Sequence, residues 1–194
     1  MDERSAAVAR ATAWRLVSKR PTVLWLTGLS GAGKSTIASA AALKLQALGY
    51  HCVVLDGDEM RQGLCQGLGF SDAERSENIR RVAEVARLFS QNGAIVLAAL
   101  ITPQQRQRTL ARHVIGTDAF VEVFVDAPLA VAEARDPKGL YRRARAGQLP
   151  GFTGIDARYE PPLWPHMKLN TADSTCEQAV QALLGYLYGR GVVS

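Results

Sequence analysis

Residues 28 to 35, Gly28-Leu29-Ser30-Gly31-Ala32-Gly33-Lys34-Ser35, spell G-x-x-x-x-G-K-S. The chemistry of that spacing is the capture of a polyphosphate. The glycines allow the backbone to curl, so successive N–H groups and the start of a following helix surround one anion. Gly28 to Thr36 then form a cradle for a nucleotide triphosphate. The Lys34 amine reaches its outer phosphates, and the Ser35 hydroxyl is a ligand for Mg²⁺. Farther along stand two more reactive groups, Asp56 and Asp58, separated by Gly57. Beside a phosphate cradle, Asp56 suits a water-mediated Mg²⁺ partner and Asp58 a base that orients an acceptor hydroxyl. The alternative reading of Asp-Gly-Asp is a tight turn with a helix cap.

These groups need rigid elements to hold them. Pro21 to Thr27 is an apolar, β-branched run that predicts a buried strand, and Thr36 to Leu45 predicts the helix after the loop. His51 to Leu55 predicts a second strand delivering Asp56 and Asp58. Ser71-x-x-Glu74 is a capping box, and Ile79, Val82, Ala83, Ala86 and Phe89 continue the helix it opens to Asn92-Gly93. Ala94 to Ile101 is apolar on both faces, as a central strand of a parallel sheet must be. A basic helix over about 104 to 115, a strand over Phe120 to Val125, a short strand over 168 to 170 and a helix over 175 to 188 complete the pattern. Strands alternating with helices predict an α/β fold, a three-layer α/β/α sandwich with a parallel sheet. The arginine- and proline-rich stretch over about 135 to 165 breaks the rhythm and reads as a lid. Residues 5 to 19 predict an extra helix, so the organisation is an N-terminal arm over 1 to 20 and one domain over 21 to 194.

A chain of 194 residues, 47% hydrophobic and 21% charged, suits one globular domain. Without an apolar run that spans a bilayer, or an apolar signal core after Met1, the expectation is a cytoplasmic protein with no membrane partner. Cys52, Cys65 and Cys176 form no C-x-x-C pair, which argues against a disulfide framework or zinc site. The net charge of +5 is spread along the chain. It fits an anionic small molecule better than nucleic acid.

Several nucleotide enzymes share the loop. No N-K-x-D motif is present, as a GTPase would carry, and the third strand ends in Leu100-Ile101-Thr102 without the acid of a motor ATPase. A small-molecule kinase remains. Beyond the loop, the chain has Leu55-Asp56-Gly57-Asp58, Leu68-Gly69-Phe70-Ser71, Arg75-Ser76-Glu77-Asn78-Ile79-Arg80-Arg81, Arg135-Asp136-Pro137-Lys138-Gly139-Leu140-Tyr141, Phe152-Thr153-Gly154-Ile155-Asp156 and Tyr159-Glu160-Pro161-Pro162. In these segments, from about Val23 to Leu187, it resembles the adenylyl-sulfate kinase family, which phosphorylates the 3′-hydroxyl of adenosine 5′-phosphosulfate (APS) with ATP.

The resemblance implies a set of acceptor residues. Phe70 and Phe152 would sandwich the adenine, while Arg61, Arg75 and Asn78 hold the phosphosulfate and ribose. Ile101 and Thr102 would border the same pocket, Lys138 and Leu140 belong to the lid, and Gly151 precedes Phe152. It further implies ATP and Mg²⁺ as partners, a homodimer, and in-line transfer with Lys34 and Asp58 as the catalytic pair. The chain departs from the family over 100 to 108, where Leu100-Ile101-Thr102-Pro103-Gln104 replaces phenylalanine-isoleucine-serine-proline-tyrosine. Thr102 stands where some members have a phosphoryl-carrying serine. That leaves two rival expectations: a family kinase retuned to another nucleotide or sugar acceptor, or a nucleotide-binding module without turnover.

Overall fold

Along the first strand, Val23 and Trp25 face one apolar layer while Leu24 and Leu26 face another. That two-sided burial places the strand in the middle of a sandwich. The fold is that of a computed structural model, which describes residues 18–194. The helix expected over 5 to 19 lies almost wholly outside the described residues.

The strands are β1 (Thr22–Thr27), β2 (Cys52–Asp56), β3 (Ile95–Ala99), β4 (Phe120–Asp126) and β5 (Met167–Asn170). They form one sheet in the order β2-β3-β1-β4-β5, every pair parallel. The helices are α1 (Lys34–Ala47), α2 (Gly57–Gln62), α3 (Asp72–Gln91), α4 (Gln105–Ile115), α5 (Leu129–Arg135), α6 (Leu140–Arg145) and α7 (Cys176–Gly189). Ile37, Ala41 and Leu45 of α1 and Val180, Leu183 and Leu187 of α7 fill the layer behind Leu24 and Leu26. Ile79, Val82 and Ala86 of α3 and Ala111 and Ile115 of α4 fill the layer behind Val23 and Trp25. Burying each large aliphatic side chain contributes about 1.5–3 kcal/mol. The expected three-layer sandwich is what forms, with β3 between β2 and β1.

The chain turns to one side of β1 for β2 and β3, and to the other for β4 and β5. The C-terminal end of β1 therefore lies where the connections part, the place where open α/β sheets bind ligands. The helix predicted from Ser71-x-x-Glu74 begins there as read: Ser71 Oγ accepts the Glu74 N–H at 3.3 Å, and the Glu74 carboxylate accepts the Ser71 N–H at 3.1 Å. The stretch over 135 to 165 is less irregular than its composition suggests. The Asp136 carboxylate accepts the N–H groups of Tyr141 and Arg142, both at 3.1 Å, and so starts α6. Tyr141 is buried, and its hydroxyl donates to the Ser30 carbonyl at 2.9 Å, tying this segment to the glycine loop.

Candidate active site

The loop after β1 is built from backbone. Gly28, Gly31 and Gly33 have φ of +152°, +74° and +100°. A Cβ on Gly28 would sit 2.3 Å from the Val125 carbonyl oxygen, and one on Gly31 2.6 Å from that of Ala132. Only glycine fits where loop and neighbouring backbone come this close. Lys34 opens α1 and is buried, its amine donating to the carbonyls of Gly28 at 3.0 Å and Leu29 at 2.7 Å. Burial lowers its pKa to about 8, against the opposing pull of Asp56 and Asp58.

Asp56 ends β2, and its carboxylate accepts the Asp58 N–H at 2.9 Å, capping α2. The cap and the functional reading thus describe the same residue. The Asp58 carboxylate pairs with the Lys138 ammonium from the segment before α6. This contact raises the Lys138 pKa. Ser35 and Asp56 line one cavity, a hydroxyl and a carboxylate beside an anion cradle. Such a sparse oxygen set fits Mg²⁺, which keeps several waters and takes its other ligands from phosphate. Among the described residues, no group of three or more His, Cys, Asp or Glu is arranged to hold a metal.

The cavity measures about 760 Å³ and runs from the loop to residues of α2 and α3. Of the residues expected at the nucleotide, Ser30 to Thr36 line it, whereas Gly28 and Leu29 do not and serve instead as carbonyl partners of Lys34. Of those expected at the acceptor, Asp58, Arg61, Phe70, Arg75 and Asn78 line it from one side. Ile101, Thr102, Lys138, Leu140, Gly151 and Phe152 line it from the others.

Phe70 is 63% exposed, with the Arg61 guanidinium 4.3 Å and the Arg75 guanidinium 5.3 Å from its ring centre. Arg61 also donates to the carbonyls of Leu68 and Gly69, at 3.0 and 3.1 Å. Arg75 spans the mouth, donating to Phe70 O at 2.9 Å and Gly151 O at 3.1 Å. Phe152 packs edge-on to Tyr141 at 5.1 Å. Asn78 is buried, and its Oδ1 has no partner, leaving an acceptor for a ligand N–H or O–H.

Thr102 is 2% exposed, and its hydroxyl accepts the Trp25 indole N–H at 3.0 Å. The hydroxyl is thus engaged within the protein, while Thr102 as a residue lines the cavity. Two further groups escaped sequence reasoning. Arg135 and Thr171 line the cavity and are joined, Arg135 Nη1 donating to Thr171 Oγ1 at 3.3 Å. Arg108 and Glu122 form a buried pair behind Thr102. The only local signal for the second was a glutamate inside the apolar run Phe120-Val121-Glu122-Val123-Phe124-Val125.

A parallel sheet with a glycine loop after its central strand, a buried loop lysine and two carboxylates after the next strand define a nucleotide kinase of the phosphate-loop class. Residues 20–170 match the model of the adenylylsulphate kinase family. An adenylyl-sulfate kinase of Marinobacter nauticus is 50% identical over 186 residues, covering 96% of this chain and 94% of its own. The structure of the Mycobacterium tuberculosis APS kinase in complex with AMPPNP and APS superposes with a TM-score of 0.84 at 45% identity, covering 87% of this chain and 98% of that one. A hexameric APS kinase from Thiobacillus denitrificans is 30% identical with a TM-score of 0.67, and this chain spans 34% of its length. The chain belongs to the adenylyl-sulfate kinase family.

Proposed function

We propose that this protein transfers the γ-phosphoryl group of ATP to the 3′-hydroxyl of APS, giving 3′-phosphoadenosine 5′-phosphosulfate and ADP. The observation that carries the reading is one cavity that joins the phosphate loop to Asp58 and to the Phe70, Arg75 and Phe152 face. Lys34 and the loop N–H groups stabilise charge on the moving phosphoryl group. Asp58 orients the hydroxyl and takes its proton. Donor phosphates compete with Asp58 for Lys138, and release of Asp58 from that pair frees the base. Ser35 and, through water, Asp56 would hold Mg²⁺, which neutralises the β- and γ-phosphates when bound. The segment over about 135 to 165 acts as a lid that excludes water.

Direct transfer, without a phosphorylated Thr102, is supported by the burial of that hydroxyl against Trp25. The test is ADP release with APS, AMP, shikimate, gluconate or no acceptor. Strong stimulation by APS alone is the expected result; equal or greater stimulation by another acceptor would favour a retuned kinase. A module without turnover is disfavoured because Lys34, Ser35, Asp56 and Asp58 all line the one cavity. We also propose a homodimer, for which the hexameric relative gives precedent for self-association; sedimentation velocity measures it.

A further inference from the structure

Glu122 lies inside β4, directly opposite Trp25 in the sheet register. Its side chain is 4% exposed and that of Arg108, from α4, 1% exposed, with Arg108 Nε 2.9 Å from Glu122 Oε1. Arg112 Nη2 adds a second cation 3.6 Å from Oε2. Taking two charges out of water is unfavourable, and well-packed apolar residues of the same volume are often as stable or more so. Stability therefore gives no reason for the pair. Its other contacts do.

Arg108 Nη1 donates to the Thr102 carbonyl at 3.1 Å, and Nη2 to Gln105 Oε1 at 2.7 Å. Thr102 has φ +42°, in the left-handed region that residues with a side chain rarely adopt. For a β-branched residue that conformation is strained, and it persists only where neighbours over-determine it. The neighbours are all here. Trp25 Nε1 holds the Thr102 hydroxyl, Arg108 holds its carbonyl, and Thr27 Oγ1 donates to the Ile101 carbonyl at 2.7 Å. From the other side, the Glu160 N–H donates to Pro103 O at 2.8 Å. The segment so fixed, Ile101 to Pro103, is a wall of the cavity.

We infer that Glu122 is a positioning residue for the acceptor site: it aligns the Arg108 guanidinium so that Arg108 locks the Thr102 backbone in the strained form that shapes the acceptor wall. A guanidinium is required, since its Nε edge lies in ion-pair contact with Glu122 while Nη1 meets Thr102 and Nη2 meets Gln105, and a lysine ammonium cannot span these directions. The inference rests on the reading that this wall faces the APS nucleoside.

The experiment compares the full-length protein with Glu122→Gln, Arg108→Lys and the apolar double variant Arg108→Met/Glu122→Leu. It measures KM for APS at saturating ATP, KM for ATP at saturating APS, thermal unfolding, and ligand-free amide exchange across residues 100–105. Each single variant should raise the APS KM about tenfold or more with the ATP KM within about twofold. The double variant should recover the unfolding temperature of the wild type but keep the raised APS KM and faster exchange at 100–105. A folded double variant with the wild-type APS KM, or single variants that raise both KM values equally, would reduce the pair to a structural role and overturn the inference. Arg108→Lys, which keeps charge and approximate volume, decides alone if the others do not fold. If the wild type shows no APS-dependent turnover, the functional reading fails on its own. Exchange at 100–105 then still reports the lock, and wild-type exchange in a folded variant overturns it.

Discussion

The two halves of the cavity are made by opposite means. The phosphate loop is backbone: glycines at positive φ, carbonyls turned back on Lys34, and N–H groups at the start of α1. The side proposed for the acceptor is side chains: Arg61 and Arg75 around Phe70, the orphan Oδ1 of Asn78, and the Glu122–Arg108 pair behind Thr102. A backbone cradle binds any polyphosphate and leaves little room for variation. A wall of side chains can be re-cut for a new acceptor without disturbing the cradle.

The largest effects should come from the cradle. Lys34→Ala removes a charge aimed at the transition state and should lower kcat by at least about 10²–10³ while APS affinity, measured by calorimetry, stays within a few-fold. Turnover above a tenth of wild type would take Lys34 out of that role. At the junction of the two halves, Asp58→Asn should lower kcat by about 10²–10³ with ATP affinity changed less than about tenfold. Loss of ATP binding at unchanged kcat would move Asp58 wholly to the cradle.

On the wall, Phe70→Ala and Arg75→Ala each remove a contact worth about 1–3 kcal/mol, so the APS KM should rise roughly 5- to 150-fold with ATP binding intact. Equal damage to both ligands would erase the distinction between the halves. Thr102→Ala should leave kcat within about tenfold and, by stranding the Trp25 N–H, destabilise the fold by about 1–3 kcal/mol. Stoichiometric label from γ-labelled ATP on Thr102, discharged by APS, would replace direct transfer with a phosphoenzyme.

The smallest effect is a matter of sign. The Lys34 pKa is lowered from 10.5 to about 8 in the folded chain, so between those values the unfolded state holds more protons. Stability from this group therefore rises with pH from about 8 to about 10.5. Below pH 8 the charged amine is a burden that Lys34→Met removes. The gap in unfolding temperature between Lys34→Met and wild type, without ligand, should narrow as pH rises through that window. A gap that stays constant would mean the amine is not desolvated.

The same contrast explains what could be read from the residues in order. The loop and the capping box of α3 are local, their partners at most six residues apart. Strand and helix periodicity gave the sandwich for the same reason. Trp25 and Thr102 are 77 positions apart, and Glu122 meets Arg108 only because β4 runs beneath α4. No spacing in the chain encodes that meeting. Helix α6, with six residues, is too short to show a period, and so 135 to 165 reads as more irregular than it is. The acceptor residues came from family resemblance, because scattered arginines and phenylalanines look like solvated helix positions and loop anchors when taken singly.

The lowered pKa of Lys34 has a consequence for reactivity. Near pH 8 a far larger share of these amines is uncharged than of an ordinary exposed lysine. An uncharged amine is a nucleophile. A small neutral carbamoylating reagent should therefore modify Lys34 ahead of Lys44, Lys138 and Lys168, and a bound triphosphate should protect it twice over, by covering the amine and by restoring its proton.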